Sequence, residues 1–78
     1  MNTIERLQVV FREVFDDNAL RINRNMSKSD IPEWDSVATV RLVLSVEQEF
    51  GIHLSTDQVA DIRDVASLVQ AIETSIKR

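Results

Sequence analysis

The sequence predicts an all-α fold: a small four-helix bundle with three main helices, one short helix and a long first loop. Three observations predict it. Apolar residues recur every three or four positions in separate stretches. Cap residues stand at the start of each stretch. One glycine and one proline among 78 residues leave little material for β-hairpin turns.

Asn2, with Glu5 three residues on, is a capping-box variant that opens the first helix. Ile4, Leu7, Val10, Phe11, Val14 and Phe15 follow at helical spacing, so the helix is expected over about residues 3–16. The acidic pair Asp16-Asp17 opposes the dipole at its end. Residues 17–35 read as a long loop anchored inward by Leu20, Ile22, Met26 and Ile31. Loops of this length in small domains tend to be functional. Pro32 keeps Ile31 extended, so no helix runs through it.

Asp35 is a good N-cap and puts Ser36 at the first helical position. Val37, Val40, Val43, Leu44, Val46 and Phe50 form a broad apolar stripe on this second main helix. Gly51 supplies a left-handed stop. Ser55 with Gln58 makes a second capping box, opening a short helix with Val59 and Ile62 inward. Asp64 caps the last helix, whose apolar positions are Val65, Leu68, Val69, Ile72 and Ile76. Lys77 and Arg78 complement its C-terminal dipole. Residues 1–78 form one domain, with no internal repeat.

Composition narrows the function classes. The chain holds no cysteine, which removes disulfides, zinc knuckles and thiol catalysis by its own side chains. Thirteen acidic against nine basic residues give a net charge of −4, so no nucleic-acid partner is expected. No apolar run approaches the roughly 20 residues of a membrane span. The N-terminus lacks the pattern of a signal peptide, and a cytoplasmic location is the default expectation.

Ser36 is the candidate functional residue. A hydroxyl in the first turn of a helix sits where backbone N–H groups and the helix dipole favour a negative group such as a phosphate ester. From Pro32 through Gly51 the sequence resembles the prosthetic-group site of acyl carrier proteins. Asp35-Ser36-Val37 stands where carrier domains open their second helix with Asp-Ser-Leu or similar. Glu47-Gln48-Glu49-Phe50-Gly51-Ile52 resembles that helix's acidic-Phe ending and its glycine stop. The bundle spacing fits from Ile4 to about Ile76.

The resemblance implies a bundle of acyl-carrier type whose Ser36 bears a 4′-phosphopantetheine arm, taken from coenzyme A. The arm's thiol would hold acyl or aminoacyl groups as thioesters, so the protein itself would not be an enzyme. It implies contact of Asp35 with the phosphopantetheinyl transferase. Further partners would be an acyl-loading enzyme and the synthases or transferases of a pathway. By the same likeness Trp34, Val37, Val40, Arg41 and Glu47 are docking residues, and Val40, Leu44 and Ile62 are candidate walls of an acyl cavity. A free-standing monomer is expected.

Two departures point away from bulk fatty-acid synthesis. Ala38 and Arg41 stand where fatty-acid-synthase carriers usually have acids, and Val37 replaces the usual leucine. These suggest a specialised route, such as polyketide, peptide, aminoacyl or polysaccharide assembly. The rival reading is an unmodified helical interaction module in which Ser36 only starts a helix. A hydrolase triad of Ser36, His53 and an aspartate lacks the strand-turn-helix elbow that such a serine needs. Asp57, Asp61 and Asp64 do not match calcium-loop spacing and read as a solvated face. Arg21, Arg24 and Lys28 are too scattered for a nucleic-acid site.

Overall fold

The computed structural model describes residues 2–76. It contains α1 (Thr3–Val14), a 3₁₀ turn (Lys28–Asp30), α2 (Ser36–Phe50), α3 (Thr56–Ala60) and α4 (Val65–Ile76). The architecture is all-helical, as the sequence predicts. The expected role of Lys77 and Arg78 lies outside the described residues.

α1 starts where expected. Asn2 Oδ1 accepts from the Glu5 N–H at 2.8 Å, while the Asn2 side-chain amide donates to Glu5 Oε1 at 3.2 Å. It stops at Val14, two residues short of the expected end. There Asp16 turns left-handed, with φ 51°. Its N–H reaches the Glu13 carbonyl, and the Asp17 N–H reaches that of Arg12. This is a Schellman stop made by aspartate where glycine is usual.

The long connection is more structured than a plain loop. Arg12 Nε donates to the Leu20 carbonyl at 2.7 Å, and the Ile22 N–H donates to Gln8 Oε1. Further on, the Val65 N–H meets the Met26 carbonyl at 2.9 Å, and Ser27 forms an isolated antiparallel bridge with Asp64. The connection is thus tied to α1 at one end and to the start of α4 at the other. Ile22 and Ile31 are buried, with Leu20 and Met26 packed at the edge.

The core-facing side of α2 consists of Ala38, Thr39, Leu42, Val43 and Val46. The stripe read from sequence is corrected here. Val37, Val40 and Leu44 are 68%, 55% and 57% exposed and point away from the core. α2 is apolar on both sides, and packing against α1 decides which side is buried. Val40 and Leu44 therefore wall no internal cavity with Ile62, which alone of the three is buried. Gly51 ends the helix with φ 64°. A Cβ there would meet open space, so the backbone angle, not crowding, calls for glycine.

Ser55 and Gln58 form the capping box of α3 in both directions. In α4, Val65, Leu68, Val69 and Ile72 are buried, but Ile76 is half exposed because the helix end outruns the core.

Asp64 Oδ1 accepts from the Ser67 N–H at 2.7 Å. Hydrogen bonds from Ser67 hold this carboxyl below its ordinary value of 3.8, with the Arg63 charge helping and desolvation opposing. A lowered native pKa means the folded state binds this proton less readily than the unfolded chain. The contribution is present in full above the ordinary carboxylate value and fades as pH falls through the lowered one. Urea midpoints measured below about pH 4 should thus fall less steeply for Asp64→Asn, which keeps a capping oxygen without the charge, than for wild type.

Candidate functional site

The site is the turn that enters α2. Asp35 is extended, at φ −112° and ψ −168°. Its Oδ1 accepts from the Ala38 N–H at 2.9 Å, satisfying one of the free donors of the first turn. The Asp35 carbonyl accepts twice, from the Thr39 N–H and from Thr39 Oγ1, both at 2.9 Å. Ser36 follows as the first helical residue and is exposed. None of the hydrogen bonds that build this turn engages its hydroxyl.

Trp34 braces the turn from inside. It is 4% exposed, and its ring meets Phe11 edge-on at 5.3 Å and 85°. Its Nε1 donates to Thr39 Oγ1 at 3.0 Å. Trp34 is therefore a core residue, which corrects its expected docking role: an indole buried here has no surface to offer a partner. Glu47 has a structural role as well. Its Oε2 accepts from the Leu54 N–H at 2.9 Å and lies 3.2 Å from His53 Nδ1. That carboxylate fastens the segment after Gly51 back onto α2.

Val37, Val40 and Arg41 do lie on the surface, as docking residues must. Beside the turn an open groove of about 560 Å³ separates the end of α1 from the start of α2. Glu13, Asp16, Glu33 and Asp35 make it acidic, with Arg41 its single cation. Reading the sequence missed Thr39, whose signal was a lone polar residue on the buried side, one helical turn after Asp35. Asp64 proves a helix cap rather than part of a solvated face. Among the described residues no group of acidic or histidine side chains is placed to hold a metal. Among the same residues no helix is long and apolar enough to cross a membrane.

Comparison with known proteins gives concordant matches. The family model described as "Phosphopantetheine attachment site" matches residues 5–72. Acyl carrier proteins from two strains of Porphyromonas gingivalis are 32% identical over 59 residues, spanning 76% of this chain and 76% of each relative. The solution structure of a holo acyl carrier protein from Geobacter metallireducens superposes with a TM-score of 0.89 at 29% identity. That match covers all of this chain and 90% of the other.

Replacing Thr39 with Val keeps the shape and strips the hydroxyl, leaving the buried Trp34 N–H without an acceptor. The expected loss is about 1–3 kcal/mol in urea denaturation. A neutral substitution would show that the turn does not depend on this bond.

Proposed function

This chain belongs to the acyl carrier protein family, whose prosthetic group is 4′-phosphopantetheine, and we propose that Ser36 is the residue that bears it. The observation that carries this reading is the state of Ser36 itself. It is exposed at the first position of α2, while the side chains of the two residues before it are engaged. Asp35 is held by Ala38 and Trp34 by Thr39, so the hydroxyl that follows them is the free group.

The residues fit a phosphodiester. The helix start offers partial positive charge to an anionic ester, and solvent exposure leaves a transferase room to approach. When attached, the arm supplies a thiol that holds acyl or aminoacyl groups as thioesters. The chain's own part is to present the attachment oxygen from a fixed helix start and to be recognised by the enzymes that load and unload the cargo. Val37, Val40 and Arg41 stand on the same helix as recognition residues. Asp35 has a double duty, capping α2 and facing the transferase.

The cargo route we infer is a specialised one rather than bulk fatty-acid synthesis. Arg41 supports it, because a cation at a contact where partners expect an acid is repelled by their basic patches, and like-charge contacts cost several kcal/mol.

Incubation with coenzyme A and a broad-specificity phosphopantetheinyl transferase should add one phosphopantetheinyl mass to wild type and none to Ser36→Ala. No gain, while a control carrier is modified, would leave Ser36 as a helix-start residue only. Once loaded, the chain should support little elongation by housekeeping fatty-acid enzymes; efficient synthesis of long-chain products would remove the specialised-route reading.

A further inference from the structure

The groove between the end of α1 and the start of α2 begins beside Ser36. Asp35 and Val37, the residues on either side of that serine, both line it. Its volume of about 560 Å³ falls within the usual range for small-molecule sites. The wall is mixed. Val14, Phe15 and Val37 supply apolar surface, while Glu13, Asp16 and Glu33 supply carboxylates in the company of Arg41. The ion pairs among the described residues join Arg6 to Glu49, Arg24 to Glu73 and His53 to Glu47. None of them uses the groove's charged side chains, which are left to whatever enters.

The wall decides what can enter. An anion is repelled by the excess of carboxylates, and among the described residues no acidic or histidine cluster is placed to hold a metal. A second copy would set one acidic groove against another. A neutral chain with amide N–H donors, a carbonyl for Arg41 and short aliphatic stretches meets every group present. The pantetheine portion of the arm has that composition. Its phosphodiester stays at the helix start, where the Ser36 and Val37 N–H groups are free of the Asp35 cap. The tether adds the deciding factor. A group linked beside its site has an effective concentration on the order of millimolar, so weak contacts are enough to hold it. A basic segment of another protein has to find the groove from solution.

We propose that this groove is a resting site for the pantetheine portion of the arm, on the side of α2 that faces α1. Val14, Phe15 and Val37 cover its aliphatic stretches. Glu13, Asp16 and Glu33 accept from its amides, and Arg41 donates to a carbonyl. The arm is held against the protein between encounters with enzymes. The proposal rests on Ser36 being the attachment residue.

The test converts the isotopically labelled full chain to the holo form with unlabelled coenzyme A, so that isotope-filtered NOEs report only arm-to-protein contacts. The expected result is NOEs from the arm's geminal methyl groups to Val37 and to Val14 or Phe15. Amide shifts should also change at Glu13 and Asp16 relative to the apo chain. Glu13→Ala combined with Glu33→Ala, both exposed positions, should remove most of the NOE intensity. The same change should speed the reaction of the arm's thiol with a neutral disulfide roughly threefold or more, because nearby carboxylates disfavour the thiolate. Three results would overturn the proposal: shift changes confined to residues 35–38 without NOEs, NOEs to Val59 and Ile62 instead, or NOEs and thiol rates indifferent to the double substitution. NOEs that fade on dilution would assign the contact to a second copy. Groove shifts caused only by an added arginine-rich peptide would assign it to a basic partner segment; either outcome overturns the resting site. Intact mass of the same samples reports attachment separately. An attached arm without these contacts removes the resting site and keeps the carrier reading, whereas no mass gain removes both.

Discussion

The placement of Ser36 hangs on one buried hydroxyl, that of Thr39. An unpartnered hydroxyl at a core-facing position would be destabilising, yet here both of its capacities are used. It accepts from the Trp34 indole and donates to the Asp35 carbonyl. Those two residues immediately precede Ser36, so the chain entering α2 is fixed from the inside. The edge-on contact of Trp34 with Phe11 carries the same constraint across to α1. Helix start, core and the main helix pair are therefore one mechanical unit, and the exposed hydroxyl is presented from rigid ground.

The parts that were legible in the sequence are the local ones. The caps at Asn2, Asp35, Ser55 and Asp64 each depend on a partner three residues away, and a one-dimensional reading reaches that far. The orientation of α2 was not legible. Val37, Val40 and Leu44 carry the same hydropathy as the residues on the buried side, so periodicity yields two competing faces and tertiary packing chooses. Trp34 was not legible for a related reason. An aromatic beside a helix start suits a partner and the core equally well, until Thr39 and Phe11 claim it in three dimensions. The α1 stop was misjudged because aspartate rarely adopts the left-handed turn that Asp16 makes.

The long connection shows how a domain this small holds together without cysteine. Its two apolar anchors enter the core, but its backbone is also stitched at separate places. Gln8 and Arg12 take one stretch, while Met26 and Ser27 pair with the entrance to α4. Such pairing across distant parts of the chain fixes the approach to the turn before α2 from one side, as Thr39 fixes it from the other. Ser36 and the exposed Val37, Val40 and Leu44 of α2 take no part in this stitching. Because those residues contribute little to the core, they can change by substitution without disturbing the bundle.

Trp34 has an optical consequence. The chain contains one tryptophan and no tyrosine, so intrinsic fluorescence excited at the red edge of the absorption band arises from a single ring. That ring lies two residues before Ser36, dry and hydrogen-bonded. Water entering between α1 and α2 would shift its emission to longer wavelength, while events confined to the exposed side of α2 would leave it largely unchanged. The molecule thus contains its own spectroscopic reporter for opening at the start of α2, without any added label.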